Sequence, residues 1–426
     1  MHQLFFPLVL GILFSCSLFA RVELGVDRLF EPQYRALVEG KRVGLITNRT
    51  GMTSNMESTF SVFEKKHGAG VLTLGAIFSP EHGLFGVDPK AEVSKTDKGI
   101  IVYSLYDAGV PRRISKEMAK GIDVLVYDIQ DIGSRSYTYV SALYYVMEDA
   151  AKLSIPVVVL DRPNPLGGLL VDGPMLQKEY RSYVGYANVP YCHGMTVGEL
   201  ARFFRGEYGV SCQLTVVPMQ GWNRSMRFDD TKLSWVPTSP NIPEPSSALF
   251  YPATGLLGEL AVVFIGVGSP LPFRVIAAPW ISGKELTAAL QRPGPEGVCF
   301  QEIHIVPTMG QYRDKPCEGT LLIIKNPERF NPIKVFYWVV STLKELYPTK
   351  LREAIAAIPQ EALFYKACGS KKIAEILLKE DLSFPQLVCL DEKERQEFLA
   401  VRKKYLIPSY ENSSHTPPPS GYVSKK

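Results

Sequence analysis

Five short apolar runs, set apart by stretches of helical period, constrain this chain more than anything else in it. They are Val43–Asn48, Val71–Gly75, Ile100–Tyr103, Ile122–Tyr127 and Ile155–Leu160, and none alternates polar with apolar residues as a half-solvated strand does. A strand that is apolar on both faces is buried on both, which a parallel sheet flanked by helices achieves. Helical segments near 55–66 and 139–153 supply connections of the right length. The expectation is an α/β fold with a Rossmann-like parallel-sheet N-terminal domain over residues 21–260. After it, strands near 302–307 and 320–324 and helices near 334–346, 350–357, 372–379 and 391–405 predict a smaller α+β C-terminal domain over 261–407. Asp391 with Glu394 three residues on reads as the start of the last of these helices. The Ser- and Pro-rich stretch 408–426 reads as a disordered tail.

Polar residues gather where most of the apolar runs stop. Asn48-Arg49-Thr50, Ser79-Pro80-Glu81-His82-Gly83, Asp128 to Asp131 with Ser134 to Tyr137, and Asp161-Arg162-Pro163-Asn164-Pro165 all stand at such ends. In an open α/β sheet the crevice beyond the carboxyl ends of the strands is where ligands bind. Several strand ends carrying hydrogen-bonding groups to one rim suit a polyhydroxylated ligand. Glu81 is the candidate acid or base, flanked by Phe78 and Phe85, whose apolar rings would lift a carboxyl toward a useful range. The competing reading of Ser-Pro-Glu-His-Gly is a turn placed for backbone reasons alone. His193 and Asn241 lie in loops placed to line a pocket, whereas Thr196 and Glu199 form a capping box, which keeps Glu199 out of the site.

Other chemistries fall away. The 426 residues carry a net charge of only +4, dispersed along the chain, so there is no footprint for nucleic acid. Gly266-Val267-Gly268 is followed by Leu271 where a dinucleotide fingerprint needs its third glycine. No P-loop, H-E-x-x-H, C-x-x-C or G-x-S-x-G occurs, and neither a metal nor a cofactor is expected. Leu4 to Ala20 reads as a signal peptide ending before Arg21, which predicts an exported protein, periplasmic or secreted, with no membrane span left after processing. Lipid attachment at Cys16 is the alternative. The six remaining cysteines permit disulfides or buried thiols.

Taken together, Val43 to Asn48, Phe78 to Gly83, Asp128 to Gly133 with Arg135 and Tyr137-Thr138-Tyr139, and Asp161 to Pro165 resemble a bacterial family long known as a domain of unknown function, DUF1343. Its members are associated with YbbC/NamZ-like exo-β-N-acetylmuramidases. The resemblance continues through His193 to Thr196, Ser239-Pro240-Asn241 and Ala278 to Ile281. It implies release of N-acetylmuramic acid from the non-reducing end of peptidoglycan fragments, in a cleft between the two domains, with Glu81 as general acid.

Glycoside hydrolysis asks for a second carboxyl function, for which Glu92, Asp128, Asp131 and Glu259 are candidates. His82 is a candidate base, or a residue that holds Glu81. Arg135, Asn48 and Asn164 are the expected sugar or lactyl-carboxylate contacts, with Gln130, Tyr137, His193 and Asn241 completing the rim. The chain departs from the family pattern after Glu81, where Leu84-Phe85-Gly86 lacks an arginine, and after Glu259, where the neighbours Leu260-Ala261-Val262 are apolar. The second departure favours the rival reading, a cell-wall sugar-binding protein that has lost turnover.

Overall fold

The structure, a computed structural model, describes residues 21–86, 93–107, 110–111, 113–359, 362–379 and 383–411. Seven strands form the central sheet: β1 (Arg42–Thr47), β2 (Thr73–Ser79), β3 (Val93–Lys95), β4 (Ile101–Ser104), β7 (Val124–Asp128), β8 (Val157–Leu160) and β9 (Leu214–Val217). Between β4 and β7, a short ribbon pairs β5 (Tyr106–Asp107) with β6 (Val110–Pro111). The sheet order is β3-β4-β2-β1-β7-β8-β9, parallel throughout except for the edge strand β3. The chain winds outward from β1 to β4 and then restarts on the other side at β7. That places the reversal of strand order between β1 and β7, where a doubly wound sheet opens its crevice.

Burial on both faces follows from the residues. β7 and β8 are buried at every position. One face packs under the helices Thr138–Leu153 and Val197–Glu207, through Leu143, Met147, Leu200 and Phe204. The other packs under the helix Thr59–Gly68 through Phe63, together with Val22, Leu24 and Tyr410. At Gly44 a side chain would meet Leu125 Cδ2 at 2.7 Å and Phe78 Cε2 at 2.9 Å, so the strand can pass only as glycine.

The second unit carries a three-stranded antiparallel sheet in the order β10 (Val275–Ala278), β12 (Cys317–Ile324), β11 (Val298–Ile305). Helix Pro245–Glu259 packs on helix Pro332–Leu346 inside this unit's core, through residues such as Leu256, Leu257, Phe336 and Val340.

One expectation is corrected, and two take a definite form. The last helix, Glu392–Arg402, starts where Asp391 and Glu394 place it, but Asp391 is left-handed (φ 55°) and its side chain, rather than capping, accepts from Met175 N at 2.9 Å and pairs with Lys372. The stretch expected to be a tail begins ordered, because Pro408–Tyr410 forms a helical turn and Tyr410 is fully buried. Of the two readings left open for the cysteines, the free thiol holds at all six from Cys192 to Cys389. No described helix is long and apolar enough to cross a membrane.

Candidate active site

β2 ends at Ser79, and the chain then turns through His82 and Gly83, both left-handed (φ 67° and 63°). This turn holds Glu81 at the start of the helix Thr138–Leu153, where Thr138 Oγ1 donates to Glu81 Oε2 at 2.5 Å. That helix has no side-chain cap from Tyr137. Its positive end therefore faces the carboxylate. Glu81 and His82 are both half-buried. Phe78 is fully buried beneath the turn, while Phe85 is 74% exposed and does not wall the carboxyl in.

Around Glu81 stand tyrosines. Its charge bears on the phenols of Tyr139, Tyr183 and Tyr251 and helps to hold their protons. Tyr251 stacks edge-on against Tyr137 and Phe273, with centroids at 6.0 and 5.0 Å. Its hydroxyl shares Ser136 Oγ, at 3.0 Å, with Tyr191 at 2.7 Å. Burial pushes the Tyr251 phenol up to about 12.

Tyr251 also opens onto a cavity of about 380 Å³, lined on one side by Tyr251, Gly255, Gly258 and Glu259 and elsewhere by Val263, Phe264, Ile265, Phe273, Met309 and Tyr312. Residues 251, 255 and 259 are one helix face, and the absent side chain at 255 leaves room between the phenol and the carboxyl. Glu259 reaches solvent at the mouth, yet the apolar walls strip enough water from it to raise its carboxyl above the usual range. Glu81 and Glu259 thus both bear on the Tyr251 phenol.

Most of the expected rim does not face this space. Asn48 Oδ1 is taken by the backbone and hydroxyl of Thr50, at 2.9 and 2.6 Å. Asp128 is buried in a two-point ion pair with Arg162, at 2.6 and 2.8 Å, and also accepts from Thr59. Gln130 Nε2 donates to the carbonyls of Asp131 and Pro163, both at 2.8 Å. Asn164 bridges Leu166 N and the Met195 carbonyl. Arg135 spends its fork on four backbone carbonyls: Pro174 and Val189 at 2.7 Å, Ala367 and Cys368 at 2.8 Å. Burial lowers its guanidinium to about 10. His193 is completely buried, accepts from Met195 N, and is pushed down to about 3 by burial and by Arg402. These side chains knit the loops to one another through the groups named.

Tyr137 and Asn241 stay nearer the surface. Tyr137 donates to Thr238 Oγ1 at 2.8 Å, and Asn241 Oδ1 accepts from Gly268 N at 3.3 Å. Asp131 is buried and raised to about 7 by desolvation. Glu92 lies outside the described residues. Among the described residues no group of His, Cys, Asp and Glu could hold a metal ion.

The sequence and the fold both have known relatives. Two family profiles, described as exo-β-N-acetylmuramidase NamZ, N-terminal and C-terminal, match residues 43–246 and 249–407. The chain belongs to the NamZ family. Its class of chemistry, glycoside hydrolysis, comes with that membership. A relative in Bacillus subtilis (strain 168), named peptidoglycan β-N-acetylmuramidase NamZ, is 38% identical over 391 residues, 91% of each chain. A DUF1343 family protein from Bacteroides fragilis superposes with a TM-score of 0.81 at 37% identity, over 91% of this chain and 99% of the other. A second from the same organism shares the fold, with a TM-score of 0.68 at 24% identity over 92% and 100%. The two profiles divide the chain at the head of helix Pro245–Glu259, whereas the sequence pattern places the division at its foot.

Sequence reasoning missed Thr138, Ser136, Tyr183 and Tyr251 as site residues. Tyr251 was within reach, since it stands two helical repeats before Glu259 on one face.

Proposed function

We propose that the enzyme removes terminal N-acetylmuramic acid from the non-reducing end of peptidoglycan fragments, with Glu81 as the general acid and Glu259 as the second carboxyl function. The observation that carries this reading is the placement of Glu81: Thr138 anchors Oε2, leaving Oε1 for a proton, and half-buried tyrosines offer faces on which a sugar ring can rest. The relative's printed activity on peptidoglycan supports the substrate class. Glu259 is the described candidate that shares a phenol with Glu81. Asp128 is neutralised by Arg162. Export, read from the apolar stretch Leu4 to Ala20, puts the reaction outside the cytoplasm and belongs to the same proposal.

One observation favours a variation. Desolvation raises Glu259, and a raised carboxyl suits proton donation, so the two glutamates can exchange roles. Incubation with a chromogenic N-acetyl-β-muramide and with a natural muramyl disaccharide tests the main reading. Release of muramic acid from the non-reducing end supports it. Tight binding of muramyl sugars without cleavage of either substrate replaces it with the sugar-binding protein, for which the apolar walls beside Glu259 speak.

A further inference from the structure

The expected carboxylate-binding arginine, Arg135, is committed to four carbonyls, and Arg162 is committed to Asp128. Arg49 is different. It follows Asn48 just beyond the end of β1, at the side of the crevice where strand order reverses. Its Nε and Nη2 are buried with no hydrogen-bond partner. Those two atoms form one edge of the guanidinium, the parallel pair of donors that matches the two oxygens of a carboxylate.

The guanidinium also lies against the arm that carries Glu81. At Gly86 (φ +82°) a side chain would stand 2.5 Å from Nη1 and 2.7 Å from Cζ, so the arm meets the cation with bare backbone. Arg49 acts on the Tyr139 phenol with the opposite sign to Glu81, which puts both charges around one ring. Arg49 is half-buried as a residue, but a buried donor edge left unpaired is costly unless something completes it.

We infer that Arg49 is the anion-binding residue of the sugar subsite and takes the carboxylate of the lactyl ether on the terminal N-acetylmuramic acid. This rests on the proposed substrate class and adds to it the group that is recognised. In peptidoglycan fragments a carboxylate is also available further out, on an attached peptide, and the test separates the two sources.

Binding and turnover are measured for the wild type, Arg49→Gln and Arg49→Lys on four 4-nitrophenyl glycosides: the N-acetyl-β-muramide with its free lactyl acid, the lactyl amide, the lactyl-alanine conjugate and the N-acetyl-β-glucosaminide. Calorimetry with the corresponding free sugars gives a readout that needs no turnover. The expected result is a loss of about 10- to 100-fold in affinity and in kcat/KM for the free acid in Arg49→Gln. Part of that loss returns in Arg49→Lys, and the amide and glucosaminide change by no more than about twofold. Equal losses on all four ligands overturn the proposal and make Arg49 a support for the loop. A loss confined to the alanine conjugate overturns the lactyl assignment in favour of the peptide carboxylate. A wild type that binds the acid no better than the amide overturns it as well. Acid-selective binding that depends on Arg49, without cleavage of any glycoside, upholds the inference while the hydrolase reading fails.

Discussion

Thr138 Oγ1 donates a 2.5 Å hydrogen bond to Glu81 Oε2, tying a loop after β2 to the first residue of the helix Thr138–Leu153. The bond fixes which oxygen of Glu81 is free. Thr138→Val keeps the shape of the side chain and removes the donor. A hydrogen bond to a charged group is worth about 1.5–3 kcal/mol, so a loss of roughly 10- to 100-fold in kcat is expected, with KM little changed and Thr138→Ser close to wild type. Steady-state kinetics beside circular dichroism check it. A variant that melts early and recovers full kcat when cooled shows a structural role instead.

The Asp128–Arg162 pair predicts a loss of stability without a specific loss of substrate binding. Arg162 is 4% exposed and Asp128 is fully buried. Removing one member of a buried pair leaves an uncompensated charge, at a cost of about 3–5 kcal/mol. Arg162→Gln should therefore lower the unfolding free energy at pH 7 by that amount, read from urea titration as a lower midpoint at an unchanged slope, while the folded fraction keeps the wild-type KM.

The apolar runs made the sheet legible, because burial on both faces leaves strands no other place. Four strand ends fall within a residue of the expected position, but β2 runs on to Ser79 where the sequence pattern stopped it at Gly75. What the sequence could not show is the direction in which the polar residues at those ends point. Asn48, Gln130 and Asn164 follow apolar strands just as site residues do, but they serve the backbone of the next loop. Composition at a strand end is the same in both cases. Only the partner distinguishes them, and the partners of Arg135 at 367 and 368 lie more than two hundred residues away. Glu81 was singled out by the Ser-Pro-Glu-His-Gly motif after an apolar run, but the left-handed backbone at His82 and Gly83 that turns the chain there was not.

Two buried groups give pH dependences of opposite sign. His193 is held down at about 3 against an ordinary 6.5. The unfolded chain therefore takes up a proton that the folded one refuses, and stability present above about 6.5 is lost as pH falls toward 3. Asp131 is held up at about 7 against an ordinary 3.8. Its contribution is present below 3.8 and is lost as pH rises through 7. Urea unfolding at pH 7, 5.5 and 4 should show that His193→Gln loses less stability than the parent on acidification. Asp131→Asn should lose less than the parent between pH 4 and 7. Some slope remains in that variant, because burial and Glu199 raise Asp161 to about 7 as well. Parallel curves for parent and variants would contradict both assignments.

The catalytic pair is tested by comparing Glu81→Gln with Glu259→Gln on two leaving groups. Each change keeps the size and hydrogen-bonding shape of the side chain and removes its titration. Each should lower kcat on a natural muramyl disaccharide by about 10²- to 10⁴-fold, with the fold intact because neither side chain is deeply buried. A 4-nitrophenolate leaves without needing a proton. On the aryl muramide the variant that lacks the general acid is therefore largely rescued, and the variant that lacks the other carboxyl function is not. The expected pattern is rescue of Glu81→Gln alone. Rescue of Glu259→Gln alone exchanges the roles, in keeping with the raised carboxyl at 259. In that case the wild-type rate on the disaccharide falls as pH rises through the Glu259 titration, and Glu259→Gln loses this basic limb. A Glu259→Gln variant with wild-type rates on both substrates returns the second carboxyl role to Glu92 or Asp131.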